Sequence, residues 1–265
     1  MTRIVIAGIR GRMGRTLLRL AEERPDVEVT GGLASAADAS FAVPVVSLDD
    51  AAGIVRNADV VIDFSTARAT GMLLERAVDV LDGRALVVGT TGLDEAARDR
   101  LEALAARTAV LTAANFSVGV NLLLGLTARV AAALDAASYD IEIVEAHHRR
   151  KVDAPSGTAL ALGEAAAAGR GVPLAGVRRD GRSGETGVRP AGEIGIHALR
   201  GGGIIGEHRV VFAGERERIE LVHEALDRAV FADGALKAAT WIAGRGAGRF
   251  TMQDVLGLQE PGEGR

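Results

Sequence analysis

The strongest constraint on this chain is a rhythm in its first 112 residues. Short unbroken apolar runs at 4–7, 27–31, 60–64, 86–88 and 110–112 alternate with alanine- and leucine-rich stretches of helical period at 12–23, 67–81 and 95–107. A strand that is apolar at every position, rather than at every second one, is covered on both faces, and strands that alternate with helices lie parallel. The expected fold class is α/β, with a Rossmann-type parallel sheet.

The rhythm changes after residue 116. A helix at 120–134 leads into YDIEIVEAHH, a half-buried strand with Ile141 and Ile143 on one face. Residues 176–195 are rich in Gly, Arg and Glu and read as a long mobile loop. GIHALR, GEHRVVFAG and ERIELVHEAL then read as strands joined in antiparallel fashion by glycine turns, before helical period returns in FADGALKAATWIAG. The expected organisation is a first domain of residues 1–116 plus 228–265, interrupted by an inserted α+β domain of residues 117–227.

Composition narrows the function classes. With 265 residues the chain can build two modest cores, and 48% hydrophobic with 25% charged residues is ordinary for a globular protein. A formal net charge of −4 argues against a nucleic-acid or anionic-membrane partner. The apolar runs fall short of the about 20 residues that a membrane span needs. The opening MTRIVIAGI enters a strand directly, with no signal-peptide pattern. Cysteine is absent, which removes disulfides, thiolate metal ligands and thioester chemistry. A cytoplasmic enzyme is expected.

Between the first strand and the first helix stands Gly8-Ile9-Arg10-Gly11-Arg12-Met13-Gly14, a GxxGxxG turn where dinucleotide folds cradle a pyrophosphate. Gly8 permits the tight turn, Gly11 a close approach of backbone to phosphate, and Gly14 close packing of helix on strand. The helix N-terminus adds N–H groups and a positive dipole, and Arg10 and Arg12 either reach phosphate or are solvated. The second strand ends GGLASAAD, where an acidic residue normally holds the adenosine ribose. Leu33, Ala34 and Ser35 stand there instead, and Asp38 comes a few residues late. Without that acid a ribose 2′-phosphate is not repelled, so NADPH is expected to be at least as acceptable as NADH, with Ser35 or Arg12 donating to it. Two further strand ends, Gly89-Thr90-Thr91-Gly92 and Ala113-Ala114-Asn115-Phe116-Ser117, offer small residues and backbone groups that suit a carboxamide or ordinary turn chemistry equally.

The stretch EAHHRRKVDAPSGTAL, residues 145–160, holds five consecutive side chains able to carry positive charge, His147 to Lys151, ahead of a helix start. His147 and His148, as neighbours on a strand, face opposite ways. Ser156 or Asp153 is the candidate N-cap, with Gly157 and Thr158 in the first turn, where helix geometry leaves N–H groups for a ligand, and with Lys151 as a point charge nearby. The set suits a small carboxylate with a proton donor beside it. Adjacent histidines rarely share one ion and no HxxxH partner follows, so no metal site is expected. His197, His208 and His223 sit singly in strand patterns and read as packing residues.

The same stretch is similar to the signature of the 4-hydroxy-tetrahydrodipicolinate reductase (dihydrodipicolinate reductase) family. The likeness extends over GIRGRMGR, IDFS, VVGTTG, AANFSVGVN, DIEIVEAHH and GEIGIHALRGGGIIGEH. The resemblance implies an oxidoreductase of lysine and diaminopimelate biosynthesis that uses NADH and/or NADPH on a small cyclic imine carrying two carboxylates. It implies a first domain that binds the dinucleotide and a second that binds substrate and assembles a homotetramer through its sheet. It implies His147 and Lys151 as proton-transfer residues, with His148, Gly157 and Thr158 holding substrate carboxylate. Cofactor contacts are implied for Gly8, Ile9, Arg10, Gly11, Arg12 and Met13, for Gly89, Thr90 and Thr91, and for Ala113, Ala114, Asn115 and Phe116. Ala34 and Ser35 depart from the acid and arginine usual in the family, and the segment after the second strand is shorter than in many members. Two other readings stand beside this one. The first is a different two-domain nicotinamide reductase; the second is a nucleotide-sensing regulator, which would need a basic DNA-reading module that the sequence lacks.

Overall fold

The computed structural model describes residues 1–258, so residues 259–265, the end of the segment expected in the first domain, lie outside the described residues. Contacts divide the chain into two units, Met1–Val118 with Ala229–Arg265, and Gly119–Arg228. In chain order come β1 Thr2–Ala7, α1 Arg12–Glu22, β2 Val27–Ala34, β3 Val45–Ser47, α2 Ala51–Val55, β4 Val60–Asp63, α3 Ala67–Arg76, α4 Val78–Leu81, β5 Ala85–Val88, α5 Glu95–Ala105 and β6 Ala109–Thr112. Then follow α6 Val118–Ala133, β7 Asp140–His147, α7 Gly157–Gly169, α8 Leu174–Val177, β8 Arg178–Asp180, β9 Ile194–Arg200, β10 Glu207–Ala213 and β11 Arg218–Glu224. The chain closes with α9 Ala229–Ile242, β12 Gly248–Phe250 and α10 Met252–Leu256, which belong to the first unit.

The first unit is a seven-stranded sheet in the order β12-β6-β5-β4-β1-β2-β3, with every pair parallel. Alternate residues of the apolar runs feed two separate cores. Ile4, Ile6, Ile62, Val87 and Leu111 pack with Leu17 of α1 and Leu236 of α9. Val5, Val61, Leu86 and Val110 pack on the opposite face with Leu73 of α3 and Leu101 of α5. This is why the strands read as unbroken apolar runs, and the expected α/β class is borne out. The strand order reverses between β1 and β4, which opens a crevice at their carboxyl ends. Strands β3 and β12, three residues each, are too short to leave a periodic trace. The single helix expected at 67–81 is broken at Ala77, where φ −113° and ψ 11° leave the helical range, into α3 and α4.

The second unit is a five-stranded mixed sheet in the order β11-β10-β7-β9-β8. The antiparallel succession expected for its last three strands holds only for β10 and β11. Between β9 and β10 lies β7, parallel to the first and antiparallel to the second. Ile141 and Ile143 of β7 are fully buried, and a central place gives them apolar neighbours on both sides. Residues 176–195 are not one loop. Strand β8 pairs with β9, and Arg182 and Arg189 bind the Glu142 carboxylate at 2.9 and 2.8 Å. One face of the sheet packs Ile141, Ile143, Ile196, Val210 and Phe212 against Leu123 of α6 and Leu162 of α7. By alternation the other face carries Glu142, Val144, His197, Leu199 and Val222, of which Leu199 and Val222 are exposed. No helix among the described residues is long and apolar enough to cross a membrane.

Candidate active site

In the first unit, β1 delivers Gly8 to the point where the strand order reverses. Its φ is +80°, and a Cβ there would lie 2.7 Å from the Phe64 carbonyl oxygen. A Cβ on Gly14 would lie 2.4 Å from the Gly8 carbonyl oxygen, so α1 passes this close to the turn only with glycine at 14. Helix α1 starts after Gly11 with no side-chain cap, which leaves first-turn N–H groups for a ligand. Beside the turn lies a pocket of ≈ 540 Å³, walled by Gly8, Gly11, Ala34, Ser35, Ser65 and Thr66. Arg10, Arg68 and Arg76 also face it, against one aspartate, Asp49, which Arg76 pairs. The cradle and its positive wall fit a dinucleotide. Asp38 turns to other work. Ser40 donates to it from both backbone and hydroxyl, at 3.0 and 2.6 Å, Arg10 stands 3.4 Å away, and together they hold its carboxyl below the usual range.

The other expected cofactor residues gather at the carboxyl ends of β1, β5 and β6. The Ile9 side chain is fully buried against Gly32 and Met13 packs on the core, so each has only backbone to offer a ligand, while Arg12 is exposed. Gly89 and Thr90 follow β5, with the Thr90 hydroxyl 3.3 Å from Asp63 Oδ1, and Thr91 is exposed. Ala113 and the exposed Ala114 follow β6; Asn115 Oδ1 accepts from the Ser117 N–H at 2.8 Å, and buried Phe116 meets Phe64 edge-on at 5.3 Å. These residues after β5 and β6 lie outside the described pocket wall. Sequence reading missed Asp63. It is fully buried at the end of β4, accepts from the Thr70 hydroxyl at 2.5 Å and the Ser65 N–H at 2.9 Å, and burial pushes its carboxyl pKa up.

In the second unit, β7 continues its inward row Ile141, Ile143 with Glu145 and His147. His147 Nδ1 lies 2.6 Å from Glu145 Oε2. Glu145 has no solvent exposure; it accepts two hydrogen bonds from Arg200 at 2.8 Å each and one from the Ser156 N–H at 2.9 Å. Burial works to raise its pKa, but Arg200, His147 and the Ser156 N–H outweigh it and the net shift is downward. His208, expected as a packing residue, belongs to the same cluster. It is 3% exposed, stands edge-on to His147 at 5.2 Å, and has Nε2 3.3 Å from the Ser156 hydroxyl. Burial, then the nearness of His147, takes its pKa down to about 4, so it is neutral at pH 7. The other two single histidines differ: His197 pairs with Glu142 at 2.6 Å, and His223 lies 6.5 Å from the His208 ring.

His148 stands just past the end of β7. Arg228 Nη2 stands 3.1 Å from its Nε2, and desolvation with Arg150 and Arg228 keeps its pKa below the ordinary value. Lys151 Nζ pairs with Asp153 at 2.9 Å. Of the two candidate caps, Ser156 serves α7, its hydroxyl accepting from the Ala159 N–H at 3.2 Å. Gly157 is exposed at the first position of α7, a Cβ there would meet nothing within 4 Å, and Thr158 follows it. The approach to this helix end is open. Glu145, two residues before His147 on the same face, had a legible signal. Arg200 and His208 had none, because only strand register sets them opposite His147 and Glu145.

Known proteins match this architecture closely. Residues 2–116 match the family model described as dihydrodipicolinate reductase, N-terminus, and residues 119–256 match its C-terminus counterpart. The 4-hydroxy-tetrahydrodipicolinate reductase of Caulobacter vibrioides is 48% identical over 258 residues, covering 97% of this chain and 98% of that protein. That of Dinoroseobacter shibae is 51% identical over 267 residues, covering 96% and 98%. Among solved structures, the dipicolinate-bound dihydrodipicolinate reductase from Paenisporosarcina sp. TG-14 superimposes with a TM-score of 0.77 at 26% identity, over 96% of this chain and 98% of the other.

Proposed function

The chain belongs to the dihydrodipicolinate reductase family, and from that premise we propose how its own residues carry out the reaction. It is a nicotinamide-dependent oxidoreductase that reduces 4-hydroxy-tetrahydrodipicolinate to tetrahydrodipicolinate in lysine and diaminopimelate biosynthesis. When bound, the nicotinamide supplies the hydride. The chain's residues then have two tasks, to hold a dicarboxylate and to deliver a proton to the charge that develops on it. His147 delivers the proton, since a positioned imidazole can act as a general acid. Lys151 stabilises the same developing charge and is the alternative donor. Gly157 and Thr158 at the start of α7, with His148, take a substrate carboxylate, which a helix N-terminus favours. The observation that carries this reading is that Glu145 binds both His147 and the Ser156 N–H, which sets a proton donor beside an uncovered helix start.

The Gly8 to Met13 turn, Gly89 to Thr91 and Ala113 to Phe116 hold the dinucleotide, a role supported by their shared place at the ends of parallel strands. NADPH is accepted at least as well as NADH. In support, Ala34 and Ser35 replace the ribose-binding acid, Asp38 is engaged with Ser40 and Arg10, and three arginines face the pocket. The bare face of the second sheet, with Leu199 56% and Val222 51% exposed, is proposed to assemble the homotetramer. Sedimentation velocity should then find a particle about four times the chain mass of 27.4 kDa.

The test is oxidation of NADPH and of NADH by purified protein with enzymatically generated substrate, repeated with Lys151→Ala. Turnover of that variant is expected to fall at least about 100-fold, the worth of one acid–base group, with cofactor dissociation constants unchanged. Near-normal turnover removes Lys151 from the mechanism.

A further inference from the structure

We propose that Glu145 is a positioning residue that locks the His147 imidazole with its proton on Nδ1, so that Nε2 is the nitrogen left to exchange protons with substrate. The inference rests on the reading of His147 as the proton-transfer residue and adds what orients it. Glu145 Oε2 faces His147 Nδ1 at 2.6 Å and accepts from Arg200 Nη1 at 2.8 Å. Its Oε1 accepts from Arg200 Nη2 at 2.8 Å and from the Ser156 N–H at 2.9 Å. An ionised carboxylate can only accept, so a ring nitrogen this close must carry the hydrogen. A carboxylate with no solvent exposure stays ionised only beside a compensating charge, and the two-pronged contact from Arg200 supplies it.

Three neighbours make the lock directional. The His208 ring, neutral and buried, stands edge-on to His147 at 5.2 Å and restrains the plane of the imidazole. Gly206 lies where a Cβ would come 3.2 Å from His147 Nε2, so that nitrogen has no side chain over it from this side. Arg200 also donates to the Asp153 carbonyl at 2.6 Å, tying down the loop that carries Lys151. Arg200 and the Ser156 N–H in turn fix the carboxylate that faces His147. Glu145, with no solvent exposure, acts through His147.

The experiment compares wild type, Glu145→Gln, His147→Ala and the double variant, and reads the imidazole tautomers by 15N NMR of histidine-labelled protein above the histidine titration range. In wild type the signal lost on His147→Ala should be that of an Nδ1–H imidazole, and Glu145→Gln should move it towards Nε2–H. Turnover of Glu145→Gln should fall roughly 10- to 100-fold, as for other residues that orient a histidine, with the substrate KM and the NADPH dissociation constant within about twofold. In the His147→Ala background the same change should cost nothing further. Because Glu145→Gln leaves Arg200 poorly matched, Glu145→Leu with Arg200→Met removes the whole pair, and it is expected to fold and to show the same loss. An Nε2–H tautomer in wild type, normal turnover in either folded Glu145 variant, or an added loss beyond His147→Ala overturns the proposal. Full turnover of His147→Ala instead sinks the assignment of His147 itself and with it the catalytic part of the inference, while the tautomer signal still judges the positioning.

Discussion

The two units handle charge with opposite materials. Around Gly8 the first unit works with main chain: an uncapped helix start, a turn that tolerates no Cβ at Gly8 or Gly14, and arginines at the rim of the pocket. Around His147 the second unit works with side chains, and it places an ionised carboxylate and a guanidinium where water does not reach the acid. Their buried titratable groups differ in sign as well. Asp63 is an acid whose pKa burial raises, and His208 is a base whose pKa burial lowers to about 4. A site made of backbone is sensitive to added atoms and tolerant of pH. A site made of buried charge is sensitive to lost atoms and to acid.

Acid gives the largest test of that contrast. His208 has a folded pKa of about 4 against an ordinary 6.5, so between these values the unfolded chain binds its proton first. The stabilisation present above pH 6.5 is lost as pH falls through this window, by an upper bound of about 3 kcal/mol. Glu142 extends the loss to lower pH. Burial opposes ionisation, but Arg182, His197 and Arg189 bring it from 4.5 to about 2, so its share, reduced by partial solvent screening, disappears as pH falls below 4.5. Asp63 runs the other way, because its raised pKa favours the folded first unit as acid is added. Tyr139 lies in the second unit and Trp241 in the first, and each is the sole residue of its kind. The near-UV dichroism of Tyr139 should therefore fade at higher pH than the Trp241 emission shifts. Coincident transitions would break the comparison.

A smaller effect is expected from one added methyl. Gly14→Ala forces a Cβ to 2.4 Å from the Gly8 carbonyl and should cost roughly 1–3 kcal/mol of stability and weaken cofactor binding, whereas Arg12→Ala at the exposed start of the same helix should change thermal stability little. Equal effects from the two would mean that the turn is not held by close packing. Smallest is Ser35→Asp. Placing an acid just after β2, where dinucleotide folds carry a ribose-binding one, should move the ratio of kcat/KM for NADPH over NADH towards NADH by about tenfold, the worth of one charge-assisted hydrogen bond. An unchanged ratio would place ribose recognition elsewhere in the pocket.

What could be read from the residues alone follows the range of the forces involved. The parallel sheet, the glycine turn and the basic stretch ahead of α7 each depend on residues close together in the chain, and so does the cap at Ser156. Family membership was legible for the same reason, through long contiguous motifs. Three edge strands, β3, β8 and β12, escaped notice because three residues make no period. The central position of β7 escaped because pairing partners are chosen by burial across the sheet, and the glycine turns beside β9 and β10 misled.

The sequence by itself determined that this chain is a two-domain α/β reductase with His147, Lys151 and the start of α7 in one segment. Only the tertiary structure decided what surrounds that segment. Glu145 finds Arg200 on β9 and sits opposite His208 on β10, partners separated along the chain by 55 and 63 positions, and His208 changes from an isolated packing residue into a neighbour of His147. The physical reason is strand register. Which charges meet in a sheet is set by how buried apolar rows align, and that alignment minimises the free energy of the whole sheet and belongs to no single stretch of residues.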